Sequence, residues 1–319
     1  MPAAIETEEL TKDFLVGFWR PRPYRALDAL TLSVEPGEVF GFLGPNGAGK
    51  STTLKLLMQL IYPTSGRARI LGRSVGDAAV KQRIGFLAEN PYFYDYLTAE
   101  EVLAYFARLF GYSGADVTTR VARVLDDVGI ASERRLRLRS FSKGMLQRVG
   151  LAQALINDPE VVFFDEPMSG LDPIGRRHVR DLILQLKQRG CTVFFSSHIL
   201  SDAEALCSRV AIMAQGRMVA SGALSEIADF ELQGWELVAS GVDAAMLAEL
   251  QRRARSITAL AEGRYMIHLS AETAPEQVMA TLVSGGGRVV SLHPVRETLE
   301  DYFIRQVATA TPRRGVDQP

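Results

Sequence analysis

The chain has 319 residues, 47% of them hydrophobic and 23% charged, with a net charge of -1. That length suits one large domain plus a smaller one, and the charge balance argues against nucleic acid as the main partner. Two cysteines without metal-ligand spacing, Cys191 and Cys207, point to a reducing, cytoplasmic setting. The start of the chain lacks the basic and apolar regions of a secretory signal, and no apolar run reaches the eighteen or so residues that span a bilayer. A soluble chain is expected, which still allows a membrane-embedded partner.

From about residue 5 to residue 221, short apolar runs alternate with helical stretches, the pattern of an α/β domain. Val39-Phe40-Gly41-Phe42-Leu43 reads as a buried parallel strand and 51–60 as an amphipathic helix. Helices are expected over 98–111 and 115–128, the first opened by a capping box of Thr98 and Glu101. They make the crossover to the next strand too long for one helix, so an inserted helical subdomain is expected at about 90–158. Val161-Val162-Phe163-Phe164-Asp165 and Thr192-Val193-Phe194-Phe195-Ser196 read as buried strands. The helix between them, 173–189, has Pro173 at its start and Gly190 as its stop. A hairpin turning at Gly216 ends this part.

After about Phe230, strands at 236–238, 257–260, 265–269 and 288–292 interleave with helices at 244–254 and 275–283, before a closing helix at 299–307. The order β-α-β-β-α-β predicts a small ferredoxin-like domain. The expected division is therefore 1–228, 229–307 and a disordered tail at 308–319.

The chemistry concentrates in Gly44-Pro45-Asn46-Gly47-Ala48-Gly49-Lys50-Ser51-Thr52, which fits G-x-x-x-x-G-K-[ST], the P-loop, between the first buried strand and its helix. Glycines let successive N–H groups face one centre, and the helix N-terminus adds its positive dipole end. Lys50 offers a point charge to the β- and γ-phosphates, and the Ser51 hydroxyl a ligand to Mg²⁺. A nucleoside triphosphate is the expected ligand. The second buried strand runs directly into Asp165 and Glu166. An acid beside a P-loop suits Mg²⁺ coordination, and the next acid can polarise an attacking water as general base.

Shortly before that strand stands Ser140-Phe141-Ser142-Lys143-Gly144-Met145-Leu146-Gln147-Arg148. With it, residues 5–223 resemble the nucleotide-binding subunits of ABC transporters. The resemblance implies a P-loop NTPase of α/β class with ABC-type antiparallel β and helical subdomains, and the C-terminal α+β domain is an addition to it. The family's signature segment is usually Leu-Ser-Gly-Gly-Gln; here Lys143 replaces a glycine and Met145 the glutamine, as in ATPases of type-2 exporters. Ser142 is expected to N-cap the following helix. In the family, the residues matching Ser142, Lys143, Gly144 and Met145 act in trans, on a γ-phosphate held by the opposing subunit's P-loop. Ser169-Gly170-Leu171-Asp172 resembles the D-loop, with Asp172 linking two sites across a dimer. His198, after Phe194-Phe195-Ser196-Ser197, resembles the switch histidine that contacts the γ-phosphate.

Glu89 stands where the family usually has a glutamine that senses Mg²⁺ and water. It keeps a metal-ligating oxygen and adds negative charge near the phosphates. The implied metal set is Ser51, Glu89 and Asp165. Phe14, in Thr11-Lys12-Asp13-Phe14, matches the aromatic that stacks on adenine, although 15–23 reads as an insertion in which Phe18, Trp19 and the nearby Tyr24 offer substitutes.

The stretch after Glu89 carries Tyr92, Phe93, Tyr94, Tyr96, Tyr105, Phe106, Phe110 and Tyr112. In the family this surface receives a short helix of the membrane permease, and 91–97 is the expected contact. Two arginine groups, Arg134, Arg135, Arg137 and Arg139, and Arg20, Arg22 and Arg25, read first as solvated charge; the second can also meet anionic lipid headgroups. The resemblance thus implies an ATPase with ATP and Mg²⁺, paired with an identical or related ATP-binding subunit and a permease at the cytoplasmic face of the membrane, most readily for export. The alternative, a soluble ABC-type ATPase acting on nucleic acid or ribosomes, fits less well with a single P-loop, no long heptad run and near-neutral charge. A P-loop kinase has no use for the signature segment.

Overall fold

The computed structural model describes residues 2–17, 19–227, 232–260, 263–296, 301–302 and 305. These fall into two compact units, the first up to Ser225 together with Arg305 and the second from Glu226 up to residue 304.

The first unit is built on β3 (Val39–Leu43), β6 (Ile84–Leu87), β7 (Val161–Asp165), β8 (Thr192–Ser197), β9 (Arg209–Ala214) and β10 (Arg217–Ala223), in the sheet order β10-β9-β3-β8-β7-β6. All neighbours run parallel except the β9–β10 hairpin. Every residue of β3, β7 and β8 is buried, as a parallel sheet covered on both faces requires. A second sheet, order β2-β1-β4-β5, is antiparallel and comprises β1 (Ile5–Val16), β2 (Arg22–Val34), β4 (Ser65–Ile70) and β5 (Arg73–Ser74). Side chains of both sheets and of α1 (Lys50–Leu57) share one core. Phe194 lies at its centre, its ring 5.7 Å from Phe40, 5.2 Å from Phe42 and 5.8 Å from Phe163.

The helical part holds α3 (Ala99–Leu109), α4 (Ala115–Asp127) and α5 (Lys143–Leu155), with 3-10 turns at Ala131–Glu133 and Leu138–Ser140. Thr98 and Glu101 close the expected capping box on α3. A short α2 (Ala78–Lys81) precedes β6, α6 (Pro173–Gln188) joins β7 to β8, and α7 (Leu200–Leu206) follows β8. Helix α1 stops short of the expected residue 60: Gln59 takes φ 55°, and the Leu60 N–H turns back to Lys55 O.

After α8 (Leu224–Ile227), the second unit carries β11 (Leu232–Ser240), α9 (Ala244–Arg253), β12 (Ser256–Ala259), β13 (Arg264–Ser270), α10 (Pro275–Ser284) and β14 (Arg288–Arg296). Its sheet order is β12-β13-β11-β14, antiparallel throughout, which is the ferredoxin-like arrangement. Leu237, Ile267, Leu269, Val278 and Leu282 form its own core. The expected disordered tail and most of the closing helix lie outside the described residues.

Candidate active site

Strand β3 ends at Leu43, and the next amide, Gly44 N–H, donates to Ser197 O at 3.2 Å, tying the P-loop to the end of β8. The loop then curls through Gly47 at φ 80° and Gly49 at φ 102° into α1. A Cβ at Gly49 would sit 2.7 Å from Ala26 O, and one at Gly44 would sit 2.7 Å from Met213 O, so the curl has no room for side chains there. No side chain caps α1, which leaves its first amides available to an anion.

Lys50 is buried and donates to Gly44 O at 2.7 Å and Pro45 O at 3.2 Å, and its Nζ lies 3.2 Å from Glu166 Oε1. Ser51 Oγ donates to Asp165 Oδ1 at 3.3 Å. Glu166 in turn faces His198: Oε2 lies 2.8 Å from His198 Nδ1 and accepts the His198 backbone N–H at 3.3 Å. A carboxylate only accepts, so this contact places the imidazole proton on Nδ1 and leaves Nε2 pointing elsewhere. Glu166 Oε1 has no hydrogen-bond partner among the described residues, only the ion pair with Lys50. The backbone at Glu166 takes a left-handed φ of 49°, rare for a residue with a side chain and typical of a functional turn.

Phe14, Tyr24, Pro45, Thr52, Glu89 and Glu166 are among the residues around a cleft of about 420 Å³ over this network, with Asn46, Gly47, Gly49, Lys50 and Ser51 as its floor. Ala48, within the loop, is buried. Phe14 and Tyr24 are cross-strand partners, so their side chains share one face of the β1–β2 ladder. The oxygen donors Ser51 Oγ and Asp165 Oδ1 stand together and Glu89 borders the same cleft, a hard-donor set that fits Mg²⁺ shared with phosphates.

The signature residues do not border this cleft. Ser142 N-caps α5 by accepting the Met145 N–H at 3.3 Å. Lys143 reaches over the D-loop turn, where a Cβ on Gly170 would lie 2.9 Å from its Nζ. Asp172 caps its own helix, α6, its Oδ1 accepting Gly175 N–H at 2.6 Å.

Three residues support the site in roles that the sequence reading did not assign. Ser196 Oγ donates to Asp165 Oδ1 at 2.6 Å and accepts the Glu166 N–H at 3.0 Å, so one hydroxyl fixes both acids. The parallel register that sets Asp165 opposite Ser196 makes this possible. Gln147 Nε2 donates to Pro167 O at 3.2 Å and binds α5 to the turn after Glu166. Asp202 is buried, with Oδ2 unpartnered among the described residues; burial pushes its carboxyl up, while Arg176 and Arg180 pull it down. Tyr92 (89% exposed), Tyr94, Tyr96 and Tyr105 are each exposed and do not line the cleft, and the Tyr94 and Tyr96 rings lie 5.7 Å apart. Phe93 and Phe106 are half-buried, and Tyr112 lies under Arg120 at 3.7 Å.

The family model for ABC transporters matches residues 27–169. An ABC transporter ATP-binding protein of Synechocystis is 45% identical over 305 residues, 95% of this chain and 84% of its own length. The chain belongs to the ABC transporter ATP-binding proteins. The bacitracin transport ATP-binding protein BcrA of Bacillus licheniformis is 34% identical over 98% of this chain and 99% of its own, so that relative extends through the second unit as well. Among solved structures, a dimeric ATP-binding cassette in a post-hydrolysis state, bound to ADP and Pi, matches with a TM-score of 0.63 at 25% identity. It covers 69% of this chain and 98% of its own. This ABC protein binds and hydrolyses ATP as a transporter subunit. Among the described residues, no helix is long and apolar enough to cross a membrane.

Proposed function

We propose that this protein is the ATP-hydrolysing subunit of an exporter of the type-2 class, one of two subunits that close around two ATP molecules and drive an integral membrane permease from the cytoplasmic face of the membrane. The observation that carries this reading is the chain Lys50–Glu166–His198 at the P-loop. An incoming γ-phosphate competes with Glu166 for the Lys50 ammonium. Oε1 of Glu166 is then released toward water while His198 holds Oε2 in place. The water oxygen attacks the γ-phosphorus, its proton passes to Glu166 Oε1, and the bond to the β-phosphate oxygen breaks to leave ADP and phosphate. Lys50 and His198 stabilise the charge that builds on the transferring group. Ser51, Asp165 and Glu89 would hold Mg²⁺, which neutralises phosphate charge.

Phe14 stacks on the adenine. Ser142, Lys143, Gly144 and Met145 meet the γ-phosphate on the partner subunit's P-loop, a reading supported by their lying outside this chain's own cleft, and Asp172 joins the two sites. ATP charge draws the dimer shut and loss of the γ-phosphate lets it open. The tyrosines at 92, 94 and 96 pass that movement to the permease as anchors in its contact surface. The resemblance of Phe141-Ser142-Lys143-Gly144-Met145 to the exporter variant supports export, and the transport role that BcrA's name states supports a transporter.

Co-purification with the permease followed by transport in inside-out vesicles tests this. ATP-dependent accumulation inside the vesicles is expected; efflux, or no ATP dependence, overturns it.

A further inference from the structure

We infer that the tip of the β1–β2 hairpin is a membrane-surface contact that takes an anionic lipid interface. Strand β1 pairs with β4 only as far as Thr11↔Ser65, whereas its pairing with β2 runs on to Val16↔Arg22. Beyond Thr11 the hairpin is therefore a two-stranded ribbon, an arrangement of marginal stability by itself. Its base is held: Arg25 bridges Asp13 and Asp28, each at 2.9 Å, and Phe14 and Tyr24 border the nucleotide cleft.

The tip beyond that base is apolar and solvent-facing. Trp19 is 91% exposed and Leu15 76%, with Val16 also exposed. Leu15 and Val16 are adjacent on a strand and so project to opposite faces, which makes the tip a wedge with two apolar sides. A wedge suits insertion between headgroups more than packing one face on a protein. Pro21 and Pro23 lack N–H groups, which reduces the number of backbone donors that entry into an interface would strand.

Charge selects the lipid. From Phe14 to Leu27 the sequence contains three arginines and no acid. Arg25 is taken up by its aspartates, but Arg20 and Arg22 are exposed and have no ion pair among the described residues. Arg134 and Arg135, by contrast, lie within 4.0 Å of Glu100. An indole flanked by uncompensated guanidinium groups is the composition of an interfacial anchor on a negative membrane surface. The inference goes beyond the transporter reading, and its test needs no permease, so either can fail without the other.

Flotation of the full chain with phosphatidylcholine vesicles, with and without about 30% phosphatidylglycerol, provides the test. Binding is expected only with the anionic lipid, and it should weaken as salt rises. Replacing both arginines (Arg20→Ser with Arg22→Ser) should weaken it about thirty-fold, from about 1 kcal/mol for each arginine near a negative surface. In a Trp235→Phe background Trp19 is the single indole, and its emission should shift to the blue on anionic vesicles. ATP turnover and thermal midpoint of the double arginine variant should match those of the unaltered chain. Equal binding to neutral vesicles, indifference to the arginine pair, or an unshifted indole overturns the inference.

Discussion

Glu166→Gln should make three observables move in ways that a simple loss of function would not. Oε2 of Glu166 accepts from both the backbone N–H and Nδ1 of His198, so the amide oxygen of glutamine must take that place. Its NH₂ then faces Lys50 Nζ, where the carboxylate oxygen now lies 3.2 Å away, and two donors meet without an acceptor. Removing one partner of a buried ion pair costs about 3–5 kcal/mol when the other charge is left alone. Lys50 keeps Gly44 O and Pro45 O, so a loss nearer 2 kcal/mol is expected in the nucleotide-free protein. A phosphate at Lys50 repairs the mismatch. ATP should therefore bind up to about thirty-fold tighter than to the wild type, since about 1.4 kcal/mol is a factor of ten. Turnover should fall by about 10²–10⁴ as the general base is lost. Thermal unfolding without nucleotide, ATP titration and phosphate release measure the three, and gel filtration with ATP should show the closed dimer accumulating. Wild-type turnover refutes the base role. Unchanged stability together with weaker ATP binding refutes the account of Lys50.

Other substitutions probe the support of the site. Ser196→Ala removes the hydroxyl that serves both Asp165 and the Glu166 N–H, and should cost about 2–4 kcal/mol in urea unfolding; a change below about 0.5 kcal/mol would show that water replaces it. Gly85→Ala would place a Cβ 1.9 Å from the backbone oxygen of Ala154, which cannot give way as a side chain would, so β6 must move off α5 and the thermal midpoint should drop by the equivalent of about 3 kcal/mol or more. Burial pushes the Asp158 carboxyl up, yet Arg123 and Arg120 outweigh it and hold it below the ordinary value of 3.8. A depressed folded value means that this stabilisation is complete above about pH 3.8 and drains away as pH falls through the folded value. Asp158→Asn should flatten the acid limb of a stability–pH profile, within about 1 kcal/mol because the pair is partly exposed; an identical limb argues against the pairing.

The buried strands were legible because they leave no choice of face. Every position of Val39–Leu43 and Val161–Asp165 is buried, and both strands have the limits that their apolar runs imply. Capping chemistry was equally direct at Thr98 and Ser142. The β1–β2 ladder was hidden, because register shifts between Thr7 and Asp13 break the two-residue alternation that marks a half-buried strand. Glu9 and Ala29 take left-handed φ values of 47° and 48° there. Within the site, the P-loop, Asp165, Glu166 and His198 were readable from motif and order. Ser196 was not, because a serine in a strand acquires its role only from the partner strand's register. Asp172 shows the reverse case: its motif implies a link between subunits, and within its own chain the carboxylate is a helix cap.

The end of strand β8 and the residue that follows it deliver three consecutive residues to three different duties: Ser196 to the acids, the Ser197 carbonyl to Gly44, and His198, just past the strand, to Glu166. Such a strand works as a ruler, and a ruler tolerates no change of length. Residues can be added at the hairpin tip or in the turn around Gly111 and Gly114 without altering what reaches the nucleotide. One residue gained or lost in β8 reverses the faces of all three at once, while its apolar majority can still find a buried register. The simplest route from a working copy of this subunit to a folded but chemically silent one is thus a single-codon insertion or deletion in this strand, with every named motif left intact.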